Sequence, residues 1–415
     1  MEQHSEHSGL PMNSRRSFLR YAAMAAAAPI LTEAHFARAA QPAEVKPVGG
    51  RHDYFLASPP DAVLINANEN PLGPCQAARE AIARLVPAGG RYDLYGETDK
   101  LIKTFSSQHN LSEDHIAVYA GSSEPLHYTV LAFTSPQRSL VIADPTYEAA
   151  TMAATYSGAK IHKVPLTAEY AHDVKAMVAA DRNAGVFYIC NPNNPTGTMT
   201  SKKDIVWALE NKPKGAVLLV DEAYIHFSDA PDVIDLVAAG KDIVLLRTFS
   251  KIYGMAGLRC GLALARPDLL AKLMPYGENP LPVTGSGAAN ASLEDASLIS
   301  TRKKIMTDTR TETIAWLKQN HYKVIGDSHS NCFMIDTGRN GRGVIDAMRQ
   351  KEIYIGRTWP IWPNAVRITV GTPDEMARFR TAFKQVMDAP PTAAPPRAQS
   401  AMADGVRMPR FTRAV

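Results

Sequence analysis

The chain is 415 residues long with a formal net charge of +4, which is length enough for two or three domains of about 150 residues each. Its 45% hydrophobic and 21% charged content are those of an ordinary soluble globular protein. The slight positive excess sits partly in the two ends, so the composition does not argue for a nucleic-acid partner.

Residues 1–40 read as a segment outside the fold. Arg15 and Arg16 precede Phe18 and Leu19, an Ala-rich stretch follows, and Ala37-Arg38-Ala39 makes a small-residue cleavage pattern. This resembles a twin-arginine export signal, the route for proteins that fold before crossing the membrane. A disordered basic tail or a membrane-anchored helix are the alternatives, but the apolar run from Tyr21 to Leu31 is shorter than the ~20 residues that span a bilayer. The expected partner is therefore the twin-arginine translocation machinery, with no stable membrane anchor and a periplasmic mature protein.

Residues 46–85 form an N-terminal segment carrying "NANENPLGP". From 86 to 288 compact apolar runs alternate with helical patterns: "HIAVYAG", "SLVIADP", "KIHKVPL", "GVFYICNP", "GAVLLVDEAY" and "DIVLLRTFSK". Such alternation implies βαβ units and an α/β fold with a mostly parallel sheet. The stretch "ENPLPVTGSGAAN" reads as a glycine-rich loop, because its GxG lacks a preceding strand and a third glycine. From 289 to 388 a long charged helix, short strands ("NCFMIDT", "AVRITVG") and a closing helix make a smaller α+β domain. Residues 389–415, rich in Pro and Ala, read as a disordered tail. Cys75, Cys190, Cys260 and Cys332 are spread without a CxxC pair, and the histidines show no HExxH. Buried free thiols and no metal site are expected.

Polar residues collect at the ends of the strands, where open α/β sheets bind ligands. Gly121, Ser122 and Ser123 open a helix, whose free N–H groups suit a phosphate. Asp221 ends the most hydrophobic strand, where a carboxylate is costly unless it meets a cation. Thr248, Ser250, Lys251 and Arg259 follow the next strand. Each signal alone is weak, since such a lysine is usually solvated and such a serine pair is a common helix start. Together they place a phosphate cradle, a buried-end carboxylate and two cations at one sheet edge.

With these residues the chain resembles the fold-type I aminotransferases that use pyridoxal 5'-phosphate, in their histidinol-phosphate aminotransferase branch. The motifs are "NANENPLGP", "GRY" (90–92), "GSSE" (121–124), "DPTYE" (144–148), "NPNNPTG" (191–197), "DEAY" (221–224), "SK" (250–251), "GLRCG" (257–261) and "VRITVG" (366–371). The resemblance implies a large domain over 86–288 that binds the cofactor and a small C-terminal domain joined by the N-terminal segment. It implies that Lys251 forms the Schiff base and shuttles the proton, and that Asp221 meets the pyridinium nitrogen. Asn194 and Tyr224 would hydrogen-bond the ring hydroxyl oxygen, and Tyr147 would stack on the ring. Ser122, Ser123, Thr248, Ser250 and Arg259 would hold the phosphate. Tyr92 would reach the phosphate of a neighbouring subunit, so a homodimer is implied. Arg367 would take the substrate carboxylate, Arg357 would lie near the substrate's side chain or phosphate, and Asn70 and Glu69 would border the pocket.

Leu72 stands where that branch has a tyrosine, and the export signal separates this chain from cytoplasmic histidine biosynthesis, which leaves the amino donor open. The expected activity is amino transfer between an L-amino acid, or an amine derived from one, and a 2-oxo acid. Decarboxylation or oxidation on the same fold is the alternative. A non-catalytic binding protein is disfavoured by the intact lysine, aspartate and arginine.

Overall fold

A computed structural model describes residues 59–277 and 280–391. The expected export signal lies outside the described residues, as does all but the start of the expected C-terminal tail.

Strand β1 (Val63–Ile65) and helices α1 (Gln76–Leu85) and α2 (Glu97–His109) lead into the main sheet. Its strands are β2 (Ile116–Tyr119), β3 (Ser139–Asp144), β4 (Ile161–Pro165), β5 (Ala184–Cys190), β6 (Val217–Asp221), β7 (Ile243–Thr248) and β8 (Gly261–Leu264). Between them run α3 (Ser123–Phe133), α4 (Ala149–Ser157), α5 (Val174–Ala179), α6 (Lys202–Asn211) and α7 (Ile234–Ala238). The strand order is β2-β8-β7-β6-β5-β3-β4, and only β8 runs against the rest. Every residue of β5, β6 and β7 is buried. Parallel strands covered on both faces need such unbroken apolar runs, which is why these three read so plainly from the sequence. In register, Cys190 stands opposite Asp221 and Asp221 opposite Leu246, so the carboxyl ends of β5, β6 and β7 open on one edge.

The chain continues through α8 (Pro267–Leu270), α9 (Val283–Glu294), α10 (Leu298–Gln319), β9 (Lys323–Ile325), β10 (Cys332–Asp336), α11 (Gly341–Arg349), β11 (Ile353–Ile355), β12 (Ala365–Thr369) and α12 (Pro373–Asp388). Strands β12, β10 and β9 form an antiparallel sheet in that order. Strand β1 pairs in parallel with β11, Val63 opposite Ile353, and so joins the N-terminal segment to this second α+β region. Helix α12 begins with a complete capping box: the Thr372 hydroxyl accepts from Glu375 N–H, and the Glu375 carboxylate accepts from Thr372 N–H. An N-cap of this kind contributes about 1 kcal/mol. All four cysteines are free and buried.

The glycine-rich stretch near 285 is a helix, not the loop its composition suggests. Helix α9 buries Gly285, Ser286, Gly287, Ala288, Ala289 and Ser292 and packs on α1 and α2. A β-carbon at Gly285 would lie 2.4 Å from the Leu258 carbonyl oxygen, and one at Gly287 would lie 2.3 Å from a Leu85 methyl carbon. Glycine is a poor helix former, but only residues this small allow such close approach, so tertiary packing outweighs propensity. The same smallness removes any amphipathic stripe from the sequence, and with it the helical signal. Replacing Gly285 by Ala should therefore destabilise the protein by about 1–2 kcal/mol, because overpacking against a backbone carbonyl exceeds the helix-propensity gain of ~1 kcal/mol. Urea unfolding measures this, and a midpoint equal to or above that of the unmutated protein would contradict it.

Candidate active site

Asp221, the last residue of β6, is 3% exposed. Its carboxylate accepts hydrogen bonds from the Tyr188 hydroxyl at 3.1 Å and the Ala223 N–H at 3.2 Å. Among the described residues it forms no ion pair. Burial pushes its pKa up to about 6, against the pull of those two donors and of Lys251. The neighbouring carboxylate has a different role. Glu222 is fully buried, pairs with Arg247 at 2.8 Å and accepts from Val233 N–H. Arg247 also reaches Asp232 and His226. One acid of the pair is therefore bound into an internal ion-pair network, while the other is left for a donor from outside the chain.

Tyr188 went unnoticed in the sequence. It lies on β5 two residues before Cys190, hence on the same face of the sheet, and is fully buried. The signal was a lone phenol in a wholly apolar strand, whose hydroxyl needs a buried acceptor.

Lys251 follows β7 and is half-buried, its Nζ 5.5 Å from the centre of the Tyr224 ring. Burial first, and Arg367 second, lower its pKa to about 8, while Cys332, Glu69 and Asp221 pull the other way. The Tyr224 hydroxyl accepts from Asn68 Nδ2 at 3.0 Å, and the same amide reaches the Cys332 sulfur. Asn68 is a second residue that the sequence did not reveal, because it meets Tyr224 only after the N-terminal segment folds over the sheet edge. Arg367 on β12 is 5% exposed and donates to Asn194 Oδ1 at 2.8 Å and to the Asn66 carbonyl at 2.7 Å. Its Nε is buried without a partner, and it pairs with no carboxylate among the described residues. A buried cation bonded only to neutral oxygens is unstable unless an anion arrives.

The anion cradle is also in place. Helix α3 begins at Ser123, after Gly121 at φ 94°. Arg259 donates to the Ala120 and Ala256 carbonyls, both at 2.8 Å, and remains exposed. The positive φ at Gly121 calls for glycine, and a β-carbon there would lie 2.2 Å from an Arg259 nitrogen and push the guanidinium out of its place. Thr248 and Ser250 bond to each other at 2.9 Å, which turns the chain toward Lys251. Burial pushes the half-buried Tyr147 hydroxyl up in pKa, and the nearby Ser123 hydroxyl offsets part of that push.

The remaining residues expected at the site lie at its borders. Asn70 is buried, with its amide donating to the Ile252 carbonyl beside Lys251 and its oxygen accepting from Leu72 N–H. Both ends of that side chain are thus engaged within the chain, as a brace for the lysine loop. Arg357 is half-exposed, ion-paired with Glu148 and stacked 4.4 Å from the Trp359 ring centre. Tyr92 is 80% exposed, in the turn before α2.

These residues fit pyridoxal 5'-phosphate. Asp221 is a buried acceptor with no ion-pair partner among the described residues, as a protonated ring nitrogen needs; a helix N-terminus and an exposed arginine suit a phosphate; and Lys251 has a lowered pKa, as a Schiff-base lysine needs. The sequence pattern of the family "Aminotransferase class I and II" matches residues 60–383. A histidinol-phosphate aminotransferase of Symbiobacterium thermophilum is 33% identical over 334 residues, 79% of this chain and 91% of that protein. An aromatic amino acid aminotransferase of Cutibacterium acnes is 30% identical over 334 residues, 79% of this chain and 93% of that one. The fold matches the histidinol-phosphate aminotransferase of Sinorhizobium meliloti, solved in complex with pyridoxal-5'-phosphate, with a TM-score of 0.73 at 24% identity, over 79% of this chain and 91% of that one. The match covers nearly all of the described residues, and the chain belongs to the class I and II aminotransferases, as a fold-type I transaminase dependent on pyridoxal phosphate.

Proposed function

We propose that this transaminase holds its cofactor through Lys251, Asp221, Asn194 and Tyr224, and takes the carboxylate of an amino acid on Arg367. The observation that carries the reading is the buried Arg367 guanidinium, which has no carboxylate partner among the described residues and an unpartnered Nε; after burial itself, it is the main influence that lowers the pKa of Lys251. A planar fork of donors is the group that grips a carboxylate in two places. When bound, pyridoxal phosphate supplies an electron-accepting ring. Asp221 keeps a proton on the ring nitrogen, Asn194 and Tyr224 hold the ring hydroxyl oxygen, and Tyr147 covers one face. Ser122, Ser123, Thr248, Ser250 and Arg259 fix the phosphate. Lys251, with its pKa lowered to about 8, has a sizeable neutral fraction near neutral pH, so its Nζ can take a proton from the substrate's α-carbon and return it on the other side of the exchange. The donors named for the similar proteins, histidinol phosphate and aromatic amino acids, frame the choice of amino donor.

We infer a homodimer in which Tyr92 reaches the cofactor phosphate of the adjoining subunit. Its exposed ring, and the exposed Leu94 and Tyr95 beside it, support an interface on that turn. In a mixed dimer of one Tyr92→Phe chain and one Lys251→Ala chain, one site carries both changes and the other neither. About half of the unmutated activity should remain, and borohydride should link cofactor to only one of the two chains. If no intact site survives, so that activity falls to half that of the Tyr92→Phe homodimer or less, Tyr92 serves its own chain. The Tyr92→Phe homodimer should bind cofactor roughly tenfold more weakly, since a hydrogen bond to a charged acceptor contributes about 1.5–3 kcal/mol.

The charge of Asp221 gives a test that needs no cofactor. Its pKa in the fold is about 6 against ~3.9 when unfolded, so the fold favours the protonated form. That contribution is fully present below about pH 4 and is lost as pH rises through 6, a change of roughly 3 kcal/mol. Asn at this position has no proton to lose. The stability of cofactor-free Asp221→Asn relative to the unmutated protein should therefore climb between pH 4 and 7 in urea titrations, while holoenzyme turnover drops a hundredfold or more. A pH-independent difference would remove the buried-carboxylate argument.

For residues 1–40 we propose export by the twin-arginine route, supported by Arg15-Arg16, the Ala-rich run and the Ala37-Arg38-Ala39 pattern. Changing Arg15 and Arg16 to lysines should leave unprocessed precursor in the cytoplasm on fractionation. Undiminished periplasmic accumulation would point to a different route.

A further inference from the structure

Two arginines face one indole, and only one of them has charge to spare. Arg357 lies 4.4 Å and Arg367 5.5 Å from the centre of the Trp359 ring, which is itself 4% exposed. They come together because Arg367 N–H donates to the Arg357 carbonyl, which sets β12 beside the chain leaving β11. Arg367 bonds only to neutral oxygens. Arg357 is bound by the Glu148 carboxylate.

Glu148 is not a loose surface partner in this arrangement. It follows directly on Tyr147, and the Trp359 indole N–H donates to the carbonyl of Thr146 on the other side of that tyrosine. The turn carrying Tyr147 is thus tied to the arginine loop at both flanks, by an indole and by an ion pair. The pair is about 40% exposed, so it adds little to stability. Its weight falls on what else can approach. A dianion that sought both arginines would have to displace Glu148 or sit beside a like charge, which is discrimination by repulsion. Trp359 packs with Ile325, Met334, Trp362 and Tyr170, and offers no further charge to a side chain lying along it.

We propose that Glu148 determines donor specificity: by neutralising Arg357 it leaves Arg367 as the arginine of this pair without a carboxylate partner among the described residues, and so selects amino acids with one carboxylate and an uncharged side chain over acidic amino acids and phosphate esters. The proposal rests on the assignment of Arg367 to the substrate carboxylate. The test uses purified holoenzyme without an oxo-acid acceptor and follows the bound cofactor's absorbance after rapid mixing with L-phenylalanine, L-glutamate or L-histidinol phosphate. In the unmutated enzyme, the ratio of limiting rate to apparent Kd should be at least tenfold higher for phenylalanine than for the other two. Glu148→Gln should raise the glutamate and histidinol phosphate values relative to phenylalanine by tenfold or more, chiefly through apparent Kd. Glu148→Asp, which keeps the charge, should restore the original order, and adding Arg357→Leu to Glu148→Gln should abolish the gain. An unmutated enzyme that prefers either dianionic donor, a Glu148→Gln ratio that does not move, or a gain that survives loss of Arg357 would each overturn the proposal. Arg367→Leu checks the assignment beneath it: the apparent Kd for phenylalanine should rise at least tenfold. If it does not, the carboxylate assignment falls, whatever Glu148→Gln shows.

Discussion

The site is organised around a buried carboxylate that forms no ion pair among the described residues. Asp221 sits at the end of a strand whose every residue is buried, where desolvation favours its protonated form. Two hydrogen bonds, from Tyr188 and Ala223, hold the carboxylate in place without satisfying its charge. Next to it, Glu222 shows what the fold does with an acid that is only structural: it supplies Arg247. The contrast between adjacent residues sets the polarity of the sheet edge. A ring nitrogen that brings its own proton would supply the missing charge.

Arg367 repeats the pattern with the sign reversed. Among the described residues it is a buried cation bonded to amide and carbonyl oxygens and to no carboxylate, and it adds to the burial that depresses the pKa of Lys251. The two buried charges, one negative at the end of β6 and one positive on β12, have no ion-pair partner among the described residues and so cost stability. Binding recovers that stability, because ligands that carry the complementary charges are held most tightly. Arg357, already balanced by Glu148, has no such deficit.

The sequence displayed the parts of this arrangement that depend on short range. Buried parallel strands announce themselves as apolar runs, and the residues that end them are read directly, so Asp221, Thr248, Ser250 and Lys251 fall where the alternation predicts. Tyr188, Asn68 and Glu148 were not legible as functional. Each acts through a partner distant in sequence: Asp221 lies on the neighbouring strand, Tyr224 is 156 positions from Asn68, and Arg357 is 209 positions from Glu148. Helix α9 was hidden for a different reason. Its identity comes from what lies against it, and a run of glycine, serine and alanine carries no periodic record of its neighbours.

The parallel pairing of β1 with β11 has a consequence for biosynthesis. Val63 joins Ile353, and Asn68 N–H reaches the Thr369 hydroxyl 301 positions away. A chain made from its N-terminus can assemble β2 to β8 while translation proceeds, but β1 lacks its partner strand until β11 has been made, and the contacts of Asn66 and Asn68 to β12 come later still. Arg367 and its carbonyl partner are therefore brought together by nearly the last event of synthesis. Ribosome-bound chains halted before β11 would carry Asp221, Lys251 and Arg259 but not Arg367, so the two buried charges of the site are set in place at different stages of synthesis.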